Sequence, residues 1–415
     1  MSDNNRSSTF YIAAVYIGTV VGAGFASGQE VLQFFGHFGL YGILGLFLTT
    51  GLFIFFGYLI LDIGRRRNAS SHLEVIQYAG GKWVGAAIDW VITFFLLGGV
   101  VTMAAGAGAV FSEQFDLPFI MGTILLIIAA VITVILGIKG VINSISFTVP
   151  LLIASVLGLS IYTVIVNYEI LLNVMTGYYN PGAAPVSSWV FAAFLYTSYN
   201  ILLSVAILAP MGSISSHNTL LKGAVWGGIG LGAGALAITM AVLSTLGSSV
   251  GYEVPMVFIA SSISPIIGIA YTLILLMGIY TTAVSSLFGF TARLSGNSTK
   301  HYRPIAVGSG LVAFGLAQFG FSNLVGTLYP AVGIAGLLLL GALIYVFIKD
   351  KYRPGGAVFP YPQPAMKLKG QALIKNRKKQ MNKSGEMSIQ TLEGKRVCSP
   401  HFTINYQEKP IIFSY

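Results

Sequence analysis

Between residues 10 and 348 the chain is a succession of apolar runs, and a bilayer core needs roughly 20 apolar residues for each helical crossing. Read against that length, ten spans are expected: 10–35, 40–62, 84–111, 117–138, 142–166, 188–211, 221–247, 265–293, 304–320 and 324–348. Residues 254–263 read as a separate short helix on the surface. Hydrophobic residues make up 55% of the 415 and charged residues 9%, a balance that a water-soluble domain of this size could not place on its surface. The fold class is therefore an all-α polytopic membrane protein. The first run is too long and too polar for a cleaved signal sequence, whose apolar core is about 7–15 residues, so it is taken as a retained span.

The formal charge of +10 invites a nucleic-acid partner, but it is a property of the tail: residues 350–415 hold 12 Lys and Arg against 4 Asp and Glu. No nucleic acid is expected. The cluster Lys375, Arg377, Lys378 and Lys379, past the last span, is instead expected to be drawn to anionic lipid headgroups. The single cysteine, Cys398, rules out a disulfide framework.

Cationic side chains concentrate on the cytoplasmic side of a membrane protein. With a cytoplasmic N-terminus, Arg6, Arg65–Arg67, Lys82, Lys139, Lys222, Arg293, Lys300, Arg303, Lys349 and the whole tail fall inside, which accounts for all 23 Lys and Arg. The outer loops carry Glu113, Asp116, Glu169 and Glu253. Both termini are thus expected to be cytoplasmic, in a bacterial plasma membrane. The Pro/Gly-rich stretch YYNPGAAPVSS in the outer loop at 167–187 divides the spans into five and five, a first repeat at 10–166 and a second at 188–348. Residues 1–9 and the basic tail 349–415 flank them. With an odd number per half, the second half is inverted relative to the first, and transporters built from inverted repeats hold their site at the repeat interface near the midplane.

Span 1, FYIAAVYIGTVVGAGFASGQEVLQFF, carries Gly18, Gly22, Gly24 and Gly28 together with Glu30. Irregular backbone at membrane depth is tolerated where it is buried in protein or lines a cavity. The glycines read either as such a break or as small-residue packing faces. Span 6, the counterpart of span 1, has five consecutive residues with polar atoms, Tyr196, Thr197, Ser198, Tyr199 and Asn200, followed by Ser204 and Pro210. Buried polar groups at that depth need a polar cavity or one another. Span 8 carries Thr281 and Thr282 about 5 Å to the cytoplasmic side of its middle, and Gly18 lies roughly 6 Å to the same side of the middle of span 1. Hydroxyls and freed carbonyls are the neutral oxygens that a monovalent cation would use. The alternative is that these threonines bond to their own helix.

Glu30 counts out to roughly 12 Å on the outer side of span 1. There it is either a proton-accepting coupling or gating group, or a carboxylate solvated at the vestibule mouth. Asp62 and Asp89 read as surface ion pairs beside Arg65–Arg67 and Lys82, worth little each. The five histidines lack metal-ligand spacing, no catalytic motif is present, and the glycines of span 7 (Gly227, Gly228, Gly230, Gly232 and Gly234) read as helix packing. No enzymatic activity and no cofactor are expected, save a possible Na⁺ ion.

The run Gly18-Thr19-Val20-Val21-Gly22-Ala23-Gly24 resembles the unwound first helix of the LeuT-fold transporters in the amino acid–polyamine–organocation superfamily, and Tyr280-Thr281-Thr282 resembles their eighth-helix hydroxyl pair. Within that superfamily the chain is similar, over about residues 10–348, to the YkvI-type bacterial membrane proteins. The resemblance implies discontinuous helices 1 and 6, and a sodium-type site from the carbonyls of Gly18, Val21 and Gly278 with the hydroxyls of Thr281 and Thr282. It also implies a solute site at Gly22, Ala23, Gly24 and Tyr196–Asn200, with spans 1, 2, 6 and 7 rocking against 3, 4, 5 and 8. One departure is that span 3 offers Leu97-Gly98-Gly99-Val100-Val101-Thr102, where amino-acid carriers of this fold often place a tyrosine. The expected function is cation-coupled symport of a small neutral or zwitterionic solute such as an amino acid or amine. The competing expectation is a non-transporting, ligand-sensing or structural protein of the same fold, like the transporter-shaped subunits of germination receptors.

Overall fold

The computed structural model describes residues 8–136, 139–176, 184–296 and 299–351. Part of the Pro/Gly run (177–183), Cys398 and the lipid-directed basic cluster lie outside the described residues. The helices form one unit as far as Ile348.

Helices follow in the order α1 (Thr9–Val20), α2 (Ala23–Ser27), α3 (Gln29–Phe34), α4 (Leu40–Arg67), α5 (His72–Phe115), α6 (Phe119–Leu136), α7 (Lys139–Val166), α8 (Tyr168–Thr176), α9 (Trp189–Ser213), α10 (His217–Ser244), α11 (Leu246–Ser249), α12 (Pro255–Ile263), α13 (Pro265–Ser295), α14 (Thr299–Ala317) and α15 (Phe321–Lys351). Eight of them are long and apolar enough to cross a membrane: α4, α5, α6, the Thr148–Val166 part of α7, α9, α10, α13 and α15. The first expected span is divided among α1, α2 and α3, and α14 occupies the position of the ninth.

Small residues bring these helices together. Without water to drive association, membrane helices gain by close backbone approach, and glycine permits it. On α10, a β-carbon at Gly227 would press on the Tyr16 ring, at Gly228 on Ile54, at Gly230 on Ile17 and at Gly232 on Thr50. The span-7 glycines therefore seat α10 against α1 and α4, in keeping with their reading as packing positions. Helices α4 and α9 are in backbone contact: Gly64 faces the Ala209 carbonyl, and Gly212 faces the Leu61 carbonyl. Tyr16, fully buried, fastens α1 to α4 by donating its hydroxyl to the Phe53 carbonyl at 2.8 Å.

Two expectations change here. Span 6 is not discontinuous: α9 runs as one helix from Trp189 to Ser213. Three of its polar side chains are satisfied without unwinding, because Thr197 donates to the Ala193 carbonyl, Asn200 to Tyr196 and Ser204 to Asn200, each one turn back. The short helix α12 is also less superficial than its sequence implies, with Pro255, Met256, Val257, Ile259 and Ala260 buried. It packs across the Gly28 bend, where a β-carbon would meet Met256 Cγ at 2.8 Å.

Candidate functional site

The first span is broken twice. Backbone hydrogen bonding in α1 ends with the Val21 N–H donating to Ile17 and resumes with the Ala26 N–H donating to Gly22. Between them Val21 (ψ 94°) and Gly22 (φ −114°, ψ −172°) are extended. A helix end leaves its last carbonyls and first amides without intrahelical partners, so main-chain polar groups are loosened from Gly18 onward. The second break is at Gly28, in the left-handed region at φ 83° that glycine enters without penalty. Ser27 partly bridges it, donating to the Gly24 carbonyl at 2.6 Å and accepting from the Gln29 N–H at 3.1 Å.

The span-8 helix α13 lies against the first break. A β-carbon at Gly22 would stand 3.7 Å from Thr282 Oγ1, and one at Gly278 would stand 3.7 Å from Ala23 Cβ. Tyr271 of α13 donates to the Ala26 carbonyl. Thr281 donates to the Gly278 carbonyl at 3.0 Å, so that hydroxyl already closes on its own helix, while Thr282 is the one presented to Gly22. Gly18 faces Val149 of α7. Gly22, Ala23, Gly278 and Thr282 thus meet around one break, with Val21 buried beside them. Tyr280 points elsewhere, sharing a hydrogen bond of 2.7 Å with Thr133 on α6.

The span-6 residues separate into two groups. Tyr196 and Tyr199 face α3, where Phe34 lies edge-on to Tyr196 with 5.4 Å between ring centroids and tilted against Tyr199 at 5.6 Å. Ser198 faces α15 instead, donating to the Gly333 carbonyl at 2.7 Å, and Thr197 and Asn200 turn back on α9. The direct polar link from α9 to the first break runs through a residue that the sequence reading passed over: Thr19 Oγ1 lies 3.2 Å from Ser204 Oγ.

Glu30 is neither at the vestibule mouth nor solvated. It is 6% exposed and accepts a 2.7 Å hydrogen bond from Tyr199 at the middle of α9. The count of about 1.5 Å per residue assumes one uninterrupted helix, whereas this segment is interrupted twice, at Val21–Gly22 and at Gly28. The bare face of Gly24 is turned to the same carboxylate; a β-carbon there would collide with Glu30 Oε1 and stand 3.4 Å from the Tyr329 hydroxyl. Tyr329 in turn lies 3.4 Å from Thr102 Oγ1 on α5. The tyrosine that span 3 lacks is therefore supplied to the same neighbourhood by α15. Its only trace in the sequence is a Tyr-Pro pair inside an apolar run. Gln29, also buried, reaches α15 by donating to Ser322 at 2.6 Å.

Ion pairs frame the ends. Asp62 pairs with Arg65 and Arg66, both at 2.9 Å, as the sequence suggests, but it is itself buried and not at the surface. Asp89 does not join the Lys82 cluster. It takes a 2.6 Å bond from Arg293 on α13, and Arg293 also stands 2.9 Å from Nε2 of the buried His72. At the other end, Glu113 accepts from the Glu253 and Val254 amides ahead of α12, and Glu253 accepts from the Phe321 amide at the start of α15 at 2.9 Å. Burial pushes Glu253 above its ordinary carboxylate range, and the Phe321 amide only partly opposes that. A carboxyl with a raised folded-state pKa contributes stability that is full below its ordinary pKa and lost as pH rises through the raised value. Glu253→Gln keeps an acceptor for Phe321 and removes the titration. It should flatten the fall of the unfolding midpoint with pH in that window, as read by thermal unfolding across a pH series; an unchanged slope would refute the assignment.

No family model matches the chain. It is 30% identical over 344 residues to "Uncharacterized membrane protein YkvI" of Bacillus subtilis (strain 168), a match covering 82% of this chain and 97% of that protein. It is 28% identical over 338 residues to "Uncharacterized protein YyaD" of the same organism, covering 81% and 96%. Among solved structures it resembles MhsT in complex with L-phenylalanine (TM-score 0.57, 19% identity, 85% of this chain and 91% of that one). A Na⁺-coupled sialic acid symporter in a substrate-bound outward-open state also aligns (TM-score 0.55, 13%, 81% and 79%), as does Mhp1, a nucleobase-cation-symport-1 family transporter, in its closed conformation with bromovinylhydantoin bound (TM-score 0.51, 14%, 86% and 82%). At these identities the structural likeness speaks to the fold, which is that of LeuT-type transporters.

Proposed function

The chain belongs to the family of the Bacillus subtilis membrane protein YkvI, and from that premise we propose that it is a secondary transporter carrying a small organic solute, coupled to a cation. The observation that carries this reading is the break at Val21–Gly22, whose loosened main chain lies against Thr282 of α13 and, through Thr19, against Ser204 of α9. An unbroken bundle has no use for unsatisfied backbone groups at that position, whereas a solute or ion site does. MhsT and the Na⁺-coupled sialic acid symporter share the fold, which supports coupling to a cation in this chain. In this reading the ten crossings form two inverted sets of five with both termini cytoplasmic. The cation is Na⁺, held by the carbonyls of Gly18, Val21 and Gly278 with Thr281 and Thr282. The solute lies among Gly22, Ala23, Gly24 and the span-6 tyrosines, and Ser198, Thr197 and Asn200 shape α9 from behind. A bound cation would favour one conformation by its differential affinity for the two.

Thr282→Val replaces a hydroxyl by a methyl of similar size. It is expected to remove sodium-stimulated uptake in proteoliposomes while leaving the unfolding midpoint without sodium within about 0.5 kcal/mol of the unsubstituted protein's stability. Sodium-dependent uptake that survives the substitution excludes Thr282 as an ion ligand. If a broad solute panel gives neither uptake nor ion-dependent stabilisation, the chain is a sensor of the same fold.

A further inference from the structure

We propose that Glu30 selects the transported solute, and that it selects for a protonated amine: a small organic ammonium ion with an apolar body. This inference rests on the transporter reading and narrows its substrate class.

The carboxylate is buried and meets one neutral donor, the Tyr199 hydroxyl. The helices that enclose it offer no positive charge. Segments α1 to α3 and α9 contain no Lys, Arg or His; α5 has only His72 and Lys82, in its first eleven residues, α10 only His217 and Lys222, in its first six, and α15 none before Lys349 near its end. Removing an ionised carboxylate from water without a partner is heavily penalised, and the penalty is relieved when a counter-charge arrives. A site with one sign of charge missing is complementary to a ligand that carries it.

The surroundings indicate which positive charge fits. Glu30 sits beside a cluster of rings in which Tyr199 contacts Phe34, Phe95, Tyr196 and Tyr329 at centroid separations of 5.1 to 5.9 Å. Aromatic faces attract organic cations and shelter the apolar body attached to them. A metal ion wants a shell of several oxygens, and among the described residues no group of three or more His, Cys, Asp or Glu could hold one. The more oxygen-rich region lies where Thr281 and Thr282 of α13 meet the break between α1 and α2, which leaves sodium and the ammonium ion with separate seats. Tyr196, fully buried beside Tyr199 with 5.4 Å between ring centroids, adds a second phenol to this cage.

The test uses the full chain purified in lipid nanodiscs and reads thermal unfolding, since a ligand that binds only the folded state raises the midpoint with its concentration. The probes are 2-phenylethylammonium and n-butylammonium, each against its uncharged N-acetyl derivative. Both ammonium ions should stabilise the protein, and the N-acetyl compounds should bind at least about tenfold more weakly, a difference of roughly 1.4 kcal/mol. Glu30→Gln should erase the preference, and Tyr199→Phe should weaken it. The comparison of charged with neutral probes on the unsubstituted protein stands even if a variant folds poorly. Equal stabilisation by charged and uncharged members, a preference that persists in Glu30→Gln, or no stabilisation by any amine overturns the proposal; the first is the result expected if a proton alone neutralises Glu30. Sodium-driven uptake of an uncharged solute would sustain the transporter reading and defeat this one. Amines that bind through Glu30 but never cross the membrane would do the reverse.

Discussion

Gly212→Val should leave the protein unable to hold its native fold in detergent at ordinary temperatures. A β-carbon at Gly212 would run into the Leu61 carbonyl oxygen and stand 2.8 Å from the Arg65 amide nitrogen, and one at Gly64 would run into the Ala209 carbonyl. A crowded side chain can change rotamer, but a carbonyl inside a helix cannot move without carrying the helix with it. Helices α4 and α9 would have to separate along their contact, losing dispersion contacts on both faces. Overpacking costs typically about 1–3 kcal/mol, and two opposed backbones place this case at the upper end, about 3 kcal/mol. The control is Gly51→Val on the facing helix α4, where nothing lies within 4 Å of the added β-carbon; it should change stability by no more than about 0.5 kcal/mol. Thermal unfolding monitored by size-exclusion chromatography compares the two. Equal midpoints would mean that the α4–α9 approach is looser than the structure has it.

Gly24→Ala is expected to remove solute recognition while the protein still folds. The added carbon collides with Glu30 Oε1, so the carboxylate must swing away, and its 2.7 Å bond from Tyr199 breaks. Hydrogen bonds to charged groups are worth about 1.5–3 kcal/mol, so uptake at subsaturating solute should fall by roughly ten- to a hundredfold. Gly24 and Glu30 act on the same atoms, and changes that share a partner do not add. Once Glu30→Gln has been made, Gly24→Ala should cost little more. Two losses that multiply would show that Gly24 acts through something other than this carboxylate.

The membrane-spanning character and the position of the first break were open to reading from the chain itself, because apolar run length and glycine placement are local properties. The cluster Gly18 to Gly24 marks the Val21–Gly22 break, and the hydroxyls at Thr281 and Thr282 mark the helix that faces it. What could not be read depends on which helix lies beside which. The polar patch Tyr196–Asn200 looks from composition like a second break, yet local back-bonding lets α9 continue. Glu30 counted out to the membrane boundary on a straight-helix assumption that the two breaks invalidate. Tyr329 and Thr19 matter because of partners on α5 and α9, more than 180 residues away, and the flanking sequence does not say which partners those are. Asp89 likewise found Arg293, 204 residues on, in place of the nearer Lys82.

The five residues of α2 have an extended joint before them and a left-handed joint after them. Their position is set by attachments to other helices: Tyr271 of α13 grips the Ala26 carbonyl, and Met256 of α12 bears on Gly28. Such a segment behaves as a connecting rod between two pivots. A tilt of α13 or a lift of α12 would be transmitted to Ala23 and Gly24 directly, without first bending α1.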